Sequence, residues 1–169
     1  TRDAALVLQP ELAESWSADA DGWTFNLRKG VTFHDGSALT AEDVAFSFER
    51  ALHQASDFKE QAKSVVTVEV IDDYTVKLKT DGANPILPNQ LTSIYIMDKG
   101  WAETNNVMSP QDFKAEEETY AVRNANGTGP FSVASRAPDE LTVLTRNADW
   151  WGNDLFRGNI DKIEYRPIT

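Results

Sequence analysis

Between Val66 and Leu78 the chain alternates apolar and polar residues on both sides of one acidic pair, Asp72-Asp73. Val66, Val68 and Val70 lead into the pair, and Tyr74, Val76 and Leu78 lead out of it against Thr75, Lys77 and Lys79. A period of two places the apolar side chains on one face, so the two runs read as an antiparallel hairpin. A second hairpin is predicted upstream, where Leu12–Ser17 and Trp23–Arg28 flank Asp19-Ala20-Asp21-Gly22, with Trp23, Phe25 and Leu27 on one face. Half-apolar sheets must be covered, and the intervening segment supplies a cover. Thr40, followed three residues later by Asp43, is an N-cap signature. Val44, Phe48, Ala51 and Leu52 then recur at helical spacing, while Glu42, Asp43 and Glu49 are expected to stay in solvent.

The rest of the chain reads as a short helix from Asn84-Pro85 to Leu91, a strand over Ile94–Met97 and a loop from Asn105 to Lys114. A helix is predicted to open at Glu116-Glu117-Glu118 and to end before Gly127. Three strands follow, at Phe131–Ser135, Leu141–Thr145 and Ile160–Arg166, with a corner at Asp149–Gly152. Hairpins with inserted helices define an α+β fold of mixed, largely antiparallel sheets. Partners for the closing run Ile163–Ile168 are not evident in the sequence, so the chain reads as a fragment of something larger.

Composition narrows the function. With 16 basic and 27 acidic residues the formal charge is −11, which repels a phosphate backbone and argues against nucleic-acid binding. No window approaches the roughly 18 apolar residues of a membrane span. Without cysteine there are no disulfides or thiolates, and two histidines make most histidine metal sites impossible, so neither a metal nor a cofactor is expected.

Each local cluster has a plain structural reading beside a chemical one. Glu42-Asp43 and Glu116-Glu117-Glu118 are the acidic pairs a hydrolase would need, yet neighbouring acids at a helix start point apart and stay solvated. His34-Asp35 lacks both a serine elbow and a second histidine at helical spacing, and Asp35-Gly36 reads as a turn. Asn126-Gly127-Thr128-Gly129-Pro130 has no P-loop lysine and leads to a strand; its glycines read as a sharp entry into Phe131. Trp16, Trp23, Trp101, Trp150 and Trp151 are candidates either for the core or for a groove, with Trp101 the one that no strand explains.

Three stretches carry a resemblance: Pro10–Trp16; Phe25–Gly36 leading to Leu39–Arg50; and Gly127–Phe131 with Arg146–Gly152. Together they resemble the extracellular solute-binding proteins of family 5, the receptors of ABC importers for dipeptides, oligopeptides and nickel complexes. The resemblance implies a piece of a two-lobed periplasmic binding protein. Residues 1–125 correspond to the family's small extra domain and 126–169 to the start of the return into the first lobe, with the second lobe absent. Arg123-Asn124-Ala125-Asn126 departs from the Asn-Pro usual before the glycines. The resemblance implies a non-enzymatic carrier outside the cytoplasmic membrane, with a peptide or other small solute and the permease subunits as partners, and with weak binding by this part alone. Tyr95, Phe58 and Trp101 are the expected ligand contacts. The alternatives are a carboxylate-dependent hydrolase and an interaction module with exposed aromatics.

Overall fold

The computed structural model describes residues 1–115, 117–154 and 158–168. Its first sheet has four antiparallel strands in the order β1-β2-β4-β3, comprising β1 (Ala13–Asp19), β2 (Gly22–Leu27), β3 (Val65–Asp72) and β4 (Thr75–Thr80). The pairing explains the sequence pattern. Trp16, Phe25, Val76 and Val70 stand opposite one another in one cross-strand row, and Trp23, Leu78 and Val68 form the next. The alternate residues, among them Lys77 and Lys79, fall on the other face. There Lys77 bonds Asp19 at 2.7 Å and Asp21 at 2.9 Å, and Lys79 bonds Glu69 at 2.8 Å. At the start of β2 the chain runs close against β4, which glycine at position 22 allows, since a Cβ there would collide with the Leu78 carbonyl oxygen.

The helix α1 (Ala41–Leu52) covers the apolar face with Val44, Phe48 and Ala51. Contrary to expectation, Asp43 is not in solvent: it is 6% exposed and joins three elements. Its Oδ2 accepts from the Thr40 N–H at 2.8 Å and the Thr40 hydroxyl at 3.1 Å, while its Oδ1 accepts from the Lys99 N–H at 3.0 Å. The opposite side of α1 is also buried, for Phe46 packs with Ala102 and Val107.

Four other expectations need correction. Val66 is 64% exposed and Val65 is buried instead, because a register irregularity between Val65 and Thr67 turns the strand by one residue. Ile94–Met97 forms no strand: Ile94 and Ile96 pack inward, and the Met97 N–H bonds the Ser47 hydroxyl at 2.8 Å, so a helix side chain takes the place of a ladder. From Glu117 to Asn126 there is one short 3₁₀ turn, Tyr120–Val122, in place of the expected helix; Glu116 lies outside the described residues. The helix expected from Asn84 is shorter, α3 (Leu87–Gln90), preceded by α2 (Lys59–Ala62) and followed by a 3₁₀ turn and α4 (Lys99–Thr104).

The second sheet is β5-β6-β7, antiparallel throughout, from β5 (Phe131–Ala137), β6 (Leu141–Arg146) and β7 (Lys162–Tyr165). The closing strand thus finds its partner in β6. Val133, Leu144 and Ile163 share one row, and all three are half-buried.

Candidate functional site

The chemistry-bearing residues at the middle of the chain join the two sheets. The His34 N–H donates to the Gly127 carbonyl at 2.9 Å. On the ring, Nδ1 accepts from the Gly127 N–H at 3.3 Å and Nε2 lies 3.0 Å from the Gly129 carbonyl, a pattern that assigns the ring proton to Nε2. Asn126 is buried beside it, accepting from the Asp35 N–H at 3.1 Å and donating to Asp98 at 2.9 Å. Asp98 also accepts from the Ser37 hydroxyl and caps α4 through the Trp101 N–H. Burial pulls the Asp35 carboxyl upward, but the bonds from Ser37 and Asn126 outweigh it and leave Asp35 below its ordinary value. His34 and Asp35 are therefore fasteners. Gly127 and Gly129 take no left-handed conformation, so the entry into β5 is set by these bonds and not by glycine freedom.

The acidic pairs have similar occupations. Glu42 pairs with Lys99 at 3.3 Å and Asp43 caps α1, while Glu118 grips Arg123 through two bonds of 2.6 and 3.2 Å. Among the described residues no group of three or more histidine and carboxylate side chains could hold a metal ion.

Two cavities of about 570 Å³ open to the surface. The first lies between the end of α1, the 55–58 turn, the 110–125 segment and β5–β6; Arg50, Phe58, Phe113, Arg123 and Arg136 line it. The second is apolar and lies over the open end of the first sheet, lined by Trp16, Phe25, Tyr95, Ile96, Phe131 and Trp151. The three expected contact residues do not come together. Phe58, 45% exposed, is on the first cavity, and Tyr95, 80% exposed, is on the second. Trp101 packs beside Phe46, Ala102 and Val107 with its ring 5.7 Å from that of Tyr120. The arginines of the first cavity escaped sequence reading because they lie 13 to 86 positions apart, in no motif; the only signal was basic residues in an acidic chain. Of the five tryptophans that the sequence offers for core or groove, Trp16 and Trp151 line the second cavity. The Trp16 ring lies tilted beside that of Phe25 with centroids 6.3 Å apart, and the Arg28 guanidinium lies 4.5 Å above the Trp151 ring.

A four-stranded sheet under one helix, pinned to a second sheet beside open cavities, is the architecture of part of a periplasmic binding protein. Residues 7–169 match the bacterial extracellular solute-binding proteins, family 5 Middle, and the chain belongs to that family. Among relatives, the probable D,D-dipeptide-binding periplasmic protein DdpA of Escherichia coli K12 is 29% identical over 148 residues, 86% of this chain and 28% of its own length. The binding protein AppA of Bacillus subtilis, solved with a nonapeptide, superposes with a TM-score of 0.79 at 26% identity, over 98% of this chain and 32% of that one. The binding protein MoaA of A. tumefaciens R10, solved with mannopinic acid, gives 0.77 at 31%, over 95% and 31%. The chain thus spans roughly a third or less of the length of these proteins. They are binding proteins by name, and no helix among the described residues is long and apolar enough to cross a membrane.

Proposed function

We propose that the chain is part of the substrate-binding protein of an ABC importer. That protein captures a peptide or similar small solute outside the cytoplasmic membrane, in the periplasm or its equivalent, and delivers it to the permease without chemical change. The match over residues 7–169 carries this reading. In it, residues 1–125 form the family's small extra domain and 126–169 begin the return into the first lobe. Phe58 and Tyr95, each exposed on a cavity, are the proposed ligand contacts, with half-buried Trp101 as a third. The engagement of Asp43 in a cap and of Glu42 in an ion pair supports a binding role over a hydrolytic one.

A thermal-shift screen against short peptides, nickel–histidine and opine-type acids tests the reading, run on this chain and on a polypeptide of full family length that carries it. A solute that binds only the native state raises Tm by mass action. The expected result is a larger rise in the longer polypeptide, with the solute recovered intact by mass spectrometry. Recovery of a cleaved solute overturns the carrier reading in favour of a hydrolase.

A further inference from the structure

We infer that the first cavity is an anion site that takes the carboxylate of a small ligand with an apolar body. The inference deepens the carrier reading and rests on it.

Charge is unevenly placed in this chain. The chain is strongly acidic, yet three guanidinium side chains, Arg50, Arg123 and Arg136, line this cavity against one carboxylate, Asp57. Arg123 is neutralised by Glu118. Arg50 and Arg136 have no carboxylate within ion-pair distance among the described residues. Arg50, on the last turn of α1, donates from Nε to the Val107 carbonyl at 3.3 Å and from Nη2 to the Ser109 carbonyl at 3.5 Å. Arg136, on β5, donates from Nε to the Val122 carbonyl at 3.0 Å and from Nη1 to the Thr142 hydroxyl at 3.1 Å.

These neutral acceptors fix both planes and leave most of each fork of donors unused, which is the arrangement a carboxylate recognises. Burial draws the Arg50 guanidinium below its ordinary value, as expected of a partly desolvated cation without a counter-charge.

The rest of the wall selects the ligand's body. Phe58 and Phe113 are exposed, Phe113 at 68%, and both face a cavity whose other apolar members include Val122 and Val133. The volume of about 570 Å³ is within the range of small-molecule sites and suits a ligand of one or two residues' size. An acylated aromatic amino acid with a free carboxylate has both features; its amide has the same body and no charge.

The test titrates the 169-residue chain with N-acetylphenylalanine and, separately, with N-acetylphenylalanine amide, following amide resonances by NMR. The acid is expected to move the signals of residues 55–58 and 121–125 and to bind about tenfold tighter than the amide. Arg136→Gln should remove that preference, whereas Lys99→Gln, outside the cavity, should leave it unchanged. Arg50→Gln, which removes the other guanidinium without a carboxylate partner, is the second variant and should likewise lower the preference; a preference kept in both variants overturns the anion site. Equal affinity for acid and amide, or shifts confined to the cavity around Tyr95 and Trp151, overturns the anion site while leaving the carrier reading in place. If the longer polypeptide binds no solute of any class, the carrier reading fails and this inference falls with it.

Discussion

The two sheets have the same antiparallel grammar and different degrees of completion. In the first, the neighbouring rows that hold Phe25 with Val76 and Trp23 with Leu78 lie under α1, and Leu27, Val44, Phe48, Val76, Leu78 and Leu87 are buried together. In the second, no hydrophobic side chain among the described residues is fully buried, and Val133, Leu144 and Ile163 present a half-covered face. The difference is the helix. One amphipathic element closes a core on the first sheet, whereas the second has no helix packed on it among the described residues and is tethered at its entry, where Gly127 and Gly129 bond His34 and Asn126 bonds Asp35 and Asp98. A sheet with one apolar face left open is a surface prepared for contact, and the first cavity uses it through Val133, Arg136 and Thr142.

The contrast can be broken by mutation. Phe48→Ala should cost about 3–5 kcal/mol, because an almost fully buried ring leaves a cavity in a closed core. Leu144→Ala, on the open sheet, should cost about 1–2 kcal/mol, since a half-exposed side chain has less to lose. Chemical denaturation measures both, and equal costs would show that the second sheet is as closed as the first. Asp43→Ala removes a cap and the acceptor of the Lys99 amide together, for about 2–3 kcal/mol, again read from the denaturation midpoint. His34→Ala should cost about 1–2 kcal/mol and speed amide exchange in β5 before it affects β4; uniform acceleration would deny that the second sheet opens first.

The smallest effect concerns pH. The Lys77 ammonium, helped by Asp21, holds Asp19 at about 2, below its ordinary 3.8, and Lys77 is raised in turn. A depressed carboxylate stabilises the fold above its unfolded value and ceases to do so as pH falls through about 2. The same bond supports the fold below the ordinary lysine value and fades as pH rises beyond it. Asp19→Asn should flatten the dependence of Tm on pH between about 4 and 2. An unchanged slope would show that this exposed pair is screened away.

What the sequence reveals follows the same division. Both hairpins and the start of α1 were legible because period-two alternation, an acidic turn and a Thr–Asp cap are local signals. Asp43 was misplaced because the acceptor groups of a cap are usually wet, and only the distant Lys99 amide makes burial tolerable here. Ile94–Met97 has the composition of a strand, but the Ile94 N–H closes a turn on Leu91 and the Met97 N–H bonds the Ser47 hydroxyl, a partner 50 positions away that no periodicity announces. The family was visible in three stretches of sequence, and Phe58 was legible as a contact, yet the arginines that line the first cavity beside it were not. Arg50 looks like an ordinary last-turn cation, and Arg136 like an outward strand residue, until the fold brings them to one wall.

The placing of the strand irregularities has a further consequence. The central pair, β2 with β4, keeps perfect register, while each outer strand departs from it: β1 between Ala13 and Ser15, and β3 at Val65/Thr67 and again at Val70/Asp72. A bulged rim is a poor template for another molecule's strand. The sheet is therefore regular where it must hold itself together and irregular where it would otherwise recruit copies.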